Sequence, residues 1–312
     1  MDATVDNQSA ITLKTILIVS LLSISYLIIS YCIVGFKSDQ LVLVAIFNTL
    51  FYSSVITRKF ILGFSVFIVY WIIFDYMKAV PNYHFSTVHI ADLYNFEKNI
   101  FGINFNGQLL TPNEYWAING TTMMDIIGGL FYLCWIPVPL GFATYLFFKN
   151  RREFLGFAIT FFVVNLVGFV GYYTFPAAPP WYVHQHGFVF NAATKADIGG
   201  LVKFDQFFNV HIFKDIYSKG SNVFAAMPSL HSAYPIIVVY YGLRNKLGYS
   251  NIILATVMTG IWFTAVYTSH HYVLDVLAGI ICAILGICLF NLLFNKVNFL
   301  KHFLNRYTLL IQ

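Results

Sequence analysis

Long apolar runs alternate with short polar segments along this chain, and the runs have the length of membrane-crossing helices. A helix rises about 1.5 Å per residue, so about 20 residues cross the roughly 30 Å hydrocarbon core of a bilayer. Because lipid offers the backbone no hydrogen-bond partner, each run is read as a helix. The pattern predicts an all-α polytopic membrane protein with about eight transmembrane helices. The runs lie at about 14–36, 40–57, 60–78, 124–148, 153–174, 229–247, 250–269 and 271–294.

The composition agrees with this class. Hydrophobic residues make up 59% of the 312 residues and charged residues 10%, and the mean hydropathy is +0.72. A soluble core does not need that much apolar surface. The first run begins with Lys14 and ends without a small-residue cleavage pattern, which favours a retained anchor helix over a removed signal peptide. We expect a single membrane domain over 1–312, with additional N-terminal helices in 1–57 and a catalytic helical core in 60–294.

The positions of the basic residues predict the orientation of the chain in the membrane. The side that holds the amino terminus receives most of the lysines and arginines in short loops, among them Arg58, Lys149, Arg152, Arg244 and Lys296. The opposite side receives lysines mainly in two long loops, where charge has less influence. The positive-inside rule therefore places the amino terminus in the cytoplasm and the long loops in a periplasm or lumen. The net charge of +5 reflects this bias, and we expect no nucleic-acid binding because no basic stripe with interleaved aromatics is present.

The two outward loops carry patterns of short helices. Residues 82–123 contain Thr111-Pro-Asn-Glu114, a capping box with proline at the first helical position, which predicts a short helix. Residues 203–218 place apolar side chains at helical spacing, with most polar side chains off that stripe. Both segments are predicted to be interfacial helices on the outer face, or else elements that cover the helix bundle.

Two short strings at the ends of apolar runs carry the residues with catalytic chemistry. Pro-Ser-Leu-His occupies 228–231, and Ser-His-His-Tyr-Val-Leu-Asp occupies 269–275. Between them the chain crosses the membrane and returns, so His231 and His271 are expected on the same face, where they can meet. Two histidines and a carboxylate at a membrane surface indicate phosphate-ester chemistry.

The spacing within these strings assigns a role to each residue. His271 and Asp275 are four residues apart, so on a helix they share a face and the carboxylate can accept a hydrogen bond from one imidazole nitrogen. The other nitrogen is then free as a nucleophile, and the reaction passes through a phosphohistidine. Pro228 suits a first helical turn, which aims the amides of residues 229–231 at a phosphate. His231 is expected to protonate the leaving alcohol and later to deprotonate the incoming one.

The remaining histidines and the cysteines have simpler interpretations. His270 points about 100° away from His271 on a helix, so a structural or supporting role is expected. His184 and His186 lie in a loop without a nearby third ligand, and we predict no metal and no cofactor. Any single histidine at an interface can be an anchor, but the joint pattern favours catalysis. The cysteines lie within predicted spans and are expected to pack there: Cys32, Cys134, Cys282 and Cys288.

At the histidine strings the chain resembles the type 2 phosphatidic acid phosphatase superfamily, over roughly residues 124–294. The superfamily's motifs are Lys-x6-Arg-Pro, Pro-Ser-Gly-His and Ser-Arg-x5-His-x3-Asp, and the second and third match this chain in combination. The resemblance implies a six-helix core. It also implies that the catalytic residues are His231, His271 and Asp275.

Three cation positions of the superfamily pattern hold no cation in this chain. By alignment, Gly171 stands in place of the lysine, and Ala178 and Ala265 stand in place of the two arginines. A phosphomonoester bears close to two charges near neutral pH whereas a phosphodiester bears one, so the loss favours a diester substrate. Loop lysines that could replace the missing cations are Lys203, Lys214 and Lys219.

Further strings are similar to the fungal-type inositol phosphorylceramide synthase branch, namely Ala178-Pro-Pro-Trp-Tyr182, Asp75-Tyr-Met-Lys78 and Asp92–Lys98. This resemblance implies transfer of phosphoinositol from a phosphatidylinositol-like donor to the primary hydroxyl of ceramide, with release of diacylglycerol. The alternative enzyme is a lipid phosphate phosphatase, acting on a phosphomonoester or a pyrophosphate lipid, in which water replaces the lipid alcohol. A transporter is less favoured because few ionisable residues fall mid-span. The substrate-binding residues are expected to be Pro228, Ser229, Leu230, His270, Trp181 and Tyr182.

Overall fold

The computed structural model describes residues 11–218, 220 and 222–312. Lys219, one of the candidate phosphate-binding lysines, lies outside the described residues. The chain forms two compact units, one comprising residues up to Val80 together with Lys301–Gln312, and the other comprising Pro81–Leu300. Helices account for most of both units, and the only sheet among the described residues is a short hairpin.

The first unit contains three N-terminal helices and most of the C-terminal helix: α1 (Leu13–Val34), α2 (Ser38–Ser53), α3 (Val55–Tyr76) and α15 (Asn298–Ile311). Ser54 caps α3 by accepting a hydrogen bond from the amide of Thr57. The buried side chains of Val19, Phe51 and Ile61 form its core. The hydroxyl of Tyr307 donates to the carbonyl of Leu62 at 2.7 Å, which holds α15 to α3.

Helices occupy all eight predicted spans. Only six helical segments of the described chain, however, are long and apolar enough to cross a membrane. The helices within the predicted spans 40–57 and 229–247 have 16 and 15 residues. The predicted helix at 124–148 is wrong as a single helix, because the chain turns at residues 134–136 before Pro137 opens the next helix. The six segments are Leu13–Val34, Val55–Ala79, Thr122–Lys149, Arg151–Thr174, Ser250–Tyr267 and Val273–Phe294.

A helix bundle forms the centre of the second unit, made of α6 (Thr122–Leu133), α7 (Pro137–Lys149), α8 (Arg151–Thr174), α12 (Leu230–Arg244), α13 (Ser250–Tyr267) and α14 (Val273–Lys296). Helices α8, α12 and α14 pack against one another, and α13 packs against α6 and α12. Gly279 permits a close approach of α12 to α14, since a Cβ atom there would lie 2.2 Å from the carbonyl oxygen of Ser229. The start of α12 is thereby fixed against the first turns of α14.

The two long loops fold over the end of this bundle where α12 and α14 begin. The first loop contains α4 (Ala91–Phe101), the hairpin strands Ile103–Phe105 and Gln108–Leu110, and α5 (Pro112–Asn119). The predicted capping box of α5 is confirmed, because Thr111 and Glu114 each accept a hydrogen bond from the other's amide. The hairpin was not predicted, although Asn106-Gly107 at its turn, with φ 51° and 80°, is a typical hairpin sequence.

The second loop contains α9 (Pro180–His186), α10 (Val202–Phe208) and α11 (Ile212–Ser218). The continuous helix predicted over 203–218 is wrong, because Asn209 adopts a left-handed conformation with φ 52° and ends α10. The carboxylate of Asp205 then accepts hydrogen bonds from the amides of Phe213 and Lys214 in the first turn of α11. Asp205, one of the polar residues off the apolar stripe, therefore caps the next helix.

Candidate active site

His231 and His271 meet at the end of the bundle, as predicted from the two membrane crossings between them. Nδ1 of His231 lies 3.1 Å from Nε2 of His271. His231 is the second residue of α12, and His271 lies in the turn between α13 and α14. Trp135 packs edge-on against the His231 ring at a centroid distance of 4.4 Å, so an aromatic side chain limits the movement of this ring.

Asp275 lies behind His271, but not through a shared helical face. Helix α14 begins at Val273, so His271 precedes the helix and the assumption that it lies on the helix is wrong. The turn still brings Nδ1 of His271 to 3.5 Å from Oδ2 of Asp275. The same carboxylate oxygen accepts a hydrogen bond from the amide of Tyr272 at 2.8 Å. Asp275 is fully buried, so solvent screens its interaction with His271 only weakly.

The turn that carries His271 is held by hydrogen bonds from several elements. The carbonyl of Ala265 accepts from the amides of His270 and His271 at 3.1 and 2.9 Å. Nδ2 of Asn113, from α5, donates to the carbonyl of His271 at 2.9 Å and to that of Val266 at 2.7 Å. Ser269 has φ 60°, a strained conformation for a residue with a side chain. The surrounding bonds hold this strained turn and so fix the His271 ring.

Glu97 supports the site from α4, and the sequence did not identify it as a site residue. Its side chain is fully buried and accepts hydrogen bonds from the amides of Val273 at 2.9 Å and Leu274 at 3.1 Å. These amides open α14, the helix that carries Asp275. Burial raises the pKa of Glu97 to about 7, the two amides oppose this rise, and the nearby Asp275 adds to it. The position of Glu97 four residues after Leu93 on one face of α4 indicates burial, but it does not identify the amides that Glu97 accepts from.

At the start of α12, the free backbone amides are not all those that were predicted. Ser229 is the N-cap, so Pro228 precedes the helix and does not lie in its first turn. The amide of Ser229 donates to the carbonyl of Asp275 at 2.9 Å, so it is not available to an anion. Among the described residues, the amides of Leu230 and His231 have no such partner. They remain the two helix N-terminal donors for a phosphate.

The other predicted binding residues surround the site in different ways. His270 is buried, and its Nδ1 lies 3.1 Å from Oγ1 of Thr268. Trp181 donates its amide to the carbonyl of Ser269 at 2.9 Å, so it holds the catalytic turn through its backbone. The Tyr182 hydroxyl donates to the carbonyl of Val189 and accepts from the amide of Asn191, both at 2.8 Å. The binding roles of these residues stay predictions.

The three positions that lack a cation have no room for one. A Cβ atom on Gly171 would lie 2.5 Å from Cδ of Pro228. Ala178 and Ala265 are 1% and 0% exposed. The backbone around the histidines is therefore built for small side chains at these positions.

Lys203 was predicted as a possible replacement for a missing cation. Its Nζ lies 3.9 Å from Oδ1 of Asp125.

Burial also sets the protonation of the turn histidines. It lowers the pKa of His271 to about 4, and it lowers the pKa of His270 well below its usual range, with positive charge on His271 opposing protonation of His270 as well. Both rings are neutral near pH 7, so each keeps a lone pair on one ring nitrogen. His184 and His186 end α9 and do not lie in an irregular loop, and among the described residues no three His, Cys, Asp or Glu side chains form a metal-binding group.

The chain is similar in sequence to known proteins. The model of the PAP2 superfamily matches residues 105–289. The phosphoinositol dihydroceramide synthase of Bacteroides thetaiotaomicron is 43% identical over 276 residues, which cover 88% of this chain and 90% of that protein. The inositol phosphorylceramide synthase of Candida albicans is 27% identical over 84% of this chain and 53% of its own length.

A third relative, the inositol phosphorylceramide synthase catalytic subunit of Schizosaccharomyces pombe, is 26% identical over 74% of this chain and 53% of its own length. The chain thus spans about half the length of these two fungal relatives. No solved structure matches the chain. The match of the superfamily model and the near full-length similarity to the bacterial protein show that the chain belongs to the PAP2 superfamily and, within it, to the family of its Bacteroides relative.

Proposed function

We propose that this protein is a membrane phosphotransferase that moves a phosphoinositol-type head group from a phosphatidylinositol-like phosphodiester to a ceramide, releasing diacylglycerol. The observation that carries the proposal is the His231–His271 pair at 3.1 Å, with Asp275 behind His271. The head group and the acceptor are supported by the names of the bacterial and fungal relatives. No step of the proposed reaction needs a metal or a cofactor.

The first step forms a phosphohistidine. Asp275 favours the His271 tautomer with a proton on Nδ1, so Nε2 carries the lone pair and His231 donates its Nδ1 proton toward it. A phosphodiester that enters between the rings replaces this contact. His231 takes part in this step as an imidazolium, protonated on both ring nitrogens and stabilised by the negative charge of the bound diester. Nε2 of His271 attacks phosphorus, the bond from phosphorus to the glycerol oxygen breaks, and His231 gives its Nδ1 proton to that oxygen. Diacylglycerol leaves, and the head group stays on His271.

The second step reverses the roles with a different alcohol. His231, now neutral with a free nitrogen, accepts the proton of the ceramide primary hydroxyl. The hydroxyl oxygen attacks phosphorus and the P–N bond to His271 breaks. Asp275 stabilises the positive charge that the His271 ring carries while phosphorylated. The enzyme returns to its starting state with the proton back on His231.

The charge of the site supports a diester donor. The superfamily's cation positions hold Gly171, Ala178 and Ala265, which leave no space for a long side chain. Each charge-assisted contact to phosphate contributes about 1.5–3 kcal/mol, so a dianionic monoester loses more than a monoanionic diester when these contacts are missing. Phosphatidic acid should therefore be a poor substrate.

The test gives the purified protein in liposomes each donor in turn, with and without ceramide. We expect diacylglycerol release from phosphatidylinositol that rises with ceramide and yields a new phosphosphingolipid. Lipid products are followed by mass spectrometry and free phosphate by a colorimetric assay. Rapid phosphate release from phosphatidic acid, unaffected by ceramide, would identify a lipid phosphate phosphatase and overturn the transferase.

The proposal includes the face of the membrane on which the reaction occurs. The positive-inside bias places the loops that cover the histidines on the side opposite the cytoplasm. Phosphatidylinositol and ceramide would then react in the periplasmic or lumenal leaflet. Both substrates are lipids, so the site needs access to this leaflet and not to a soluble substrate.

A further inference from the structure

Several buried polar atoms at and beside the histidine pair lack hydrogen-bond partners among the described residues, and three of them do not belong to His271, Tyr272 or Asp275. These three are the hydroxyl oxygens of Tyr132 and Tyr217 and Nε2 of His270. Buried polar groups in folded proteins are almost always hydrogen-bonded, so a group of exceptions at one place requires a cause. A bound ligand that supplies the missing partners is such a cause. Tyr132 is fully buried and His270 is 4% exposed, so bulk water does not supply them.

The two tyrosines come from different elements and converge on the histidines. Tyr132, on α6, has its ring centroid 5.2 Å from that of His231 and 5.4 Å from that of His270. Tyr217, on α11, has its ring centroid 4.8 Å from that of His270. The two hydroxyls interact with each other, and neither makes a hydrogen bond of good geometry with any other described group.

These tyrosines occupy the region that an arginine would need. Ala265, at the superfamily's arginine position, belongs to the same buried cluster as Tyr132, and Tyr217 packs against that cluster. Aromatic side chains therefore pack around Ala265. The phosphate-binding contact of the superfamily is lost here, and two neutral hydroxyls stand in the same place.

The hydrogen bonds around His270 show that its free nitrogen is an acceptor. The hydroxyl of Thr268 donates to the carbonyl of Thr264 at 2.7 Å. Its oxygen therefore accepts the proton on Nδ1 of His270 at 3.1 Å. The neutral ring then carries a lone pair on Nε2. Two free donors and one free acceptor thus lie together beside the histidine pair.

We propose that Tyr132 and Tyr217 donate hydrogen bonds to the non-bridging oxygens of a phosphodiester held between His231 and His271, and that Nε2 of His270 accepts a hydroxyl of its polyol head group. This inference rests on the proposed function and names the groups that recognise the donor lipid. Neutral donors can satisfy the single charge of a diester. A buried dianion would need cations, which these positions do not supply.

The experiment compares Tyr132→Phe, Tyr217→Phe and the double variant with the wild type. Binding of phosphatidylinositol is measured by thermal stabilisation of purified protein in mixed micelles, and turnover by diacylglycerol release in the presence of ceramide. We expect each single variant to lower kcat/KM for phosphatidylinositol about tenfold or more, and the double variant to lose more, with weaker binding in parallel. The unfolding midpoints without lipid should stay at the wild-type value, because the removed hydroxyls make no hydrogen bond of good geometry with another described group.

The matched control is Tyr241→Phe, ten residues beyond His231 on α12. Its hydroxyl is also buried but lies 2.9 Å from Oγ1 of Thr160, so its loss should lower the unfolding midpoint and leave kcat/KM within twofold. The proposal is overturned if the double variant binds and turns over phosphatidylinositol within twofold of the wild type. Loss of lipid binding in the double variant supports it even if the wild type transfers nothing to ceramide, a result that overturns only the proposed transfer.

Discussion

At the scale of single residues, the site depends on how His271 is oriented. Asp275 lies 3.5 Å from Nδ1 of His271 and accepts the Tyr272 amide with the same oxygen. On the other side of the ring, Nε2 contacts Nδ1 of His231 at 3.1 Å. The ring therefore has one nitrogen directed to a buried carboxylate and one directed to the reaction. Replacing Asp275 with asparagine therefore changes the hydrogen bonding of the ring with little change in packing volume.

His271→Ala should abolish turnover, since it removes the nucleophile.

Asp275→Asn should lower kcat by about 10²-fold or more with little loss of folded protein, because the amide no longer favours the reactive tautomer. His270→Ala should retain measurable activity, since this ring is proposed to bind the head group and not to attack phosphorus. Steady-state diacylglycerol release, with unfolding midpoints as the check on folding, measures all three. Near-normal activity of folded His271→Ala protein would eliminate the mechanism, and complete loss in His270→Ala would mean that the nucleophile is misassigned.

At the scale of elements, a helix outside the bundle completes a helix inside it. The side chain of Glu97 on α4 caps the first amides of α14, which carries Asp275 two residues into the helix. Asn113 on α5 holds the preceding turn through the carbonyls of Val266 and His271. The first outer loop is thus a support for the catalytic turn and not only a cover for the bundle.

Glu97→Gln tests this support through activity and pH. An amide can accept from only one of the two backbone donors and presents its own N–H groups to the other, so kcat should fall about tenfold with KM little changed. Because the folded pKa of Glu97 is raised from 4.5 to about 7, its contribution to stability is present below about pH 4.5 and is lost as pH rises through 7. Unfolding midpoints from pH 5 to 8 should therefore fall for the wild type relative to Glu97→Gln.

The matched control is Glu153→Gln, whose carboxylate pairs with Arg244 at 2.9 Å. This pair joins the start of α8 to the end of α12, whereas His231 is at the start of α12. The control should keep wild-type kcat and the wild-type dependence of the midpoint on pH between 5 and 8. Parallel pH profiles for the wild type and Glu97→Gln would show that Glu97 does not titrate in this range.

At the scale of the whole molecule, the basic residues predict which side of the membrane each loop occupies. A reporter fused after Gln312 should report a cytoplasmic location, and a cysteine introduced at Asn191 should react with an impermeant maleimide added from outside. The native cysteines are all unpaired thiols in the described chain, so they are replaced first. Labelling of the Asn191 position only after the membrane is permeabilised would reverse the topology and the face of the site with it.

Several features of this protein follow from the sequence alone, because they depend on local spacing. The apolar runs gave the helices of the bundle, since hydropathy over about 20 residues is a local property. The same runs predicted that His231 and His271 return to one face. The capping box at Thr111 specified the start of α5 through residues three apart.

Only the tertiary structure could decide the features that join distant parts of the chain. Glu97 accepts a hydrogen bond from the amide of Val273, which is 176 residues away in the chain. Asn113 donates one to the carbonyl of His271, which is 158 residues away. The hydroxyls of Tyr132 and Tyr217 lie together beside the histidines only because folding brings α6, α11 and the turn before α14 into contact. No local pattern marks a single glutamate, asparagine or tyrosine for such a contact, because the free energy that selects it arises from a backbone group or a ligand brought close by folding.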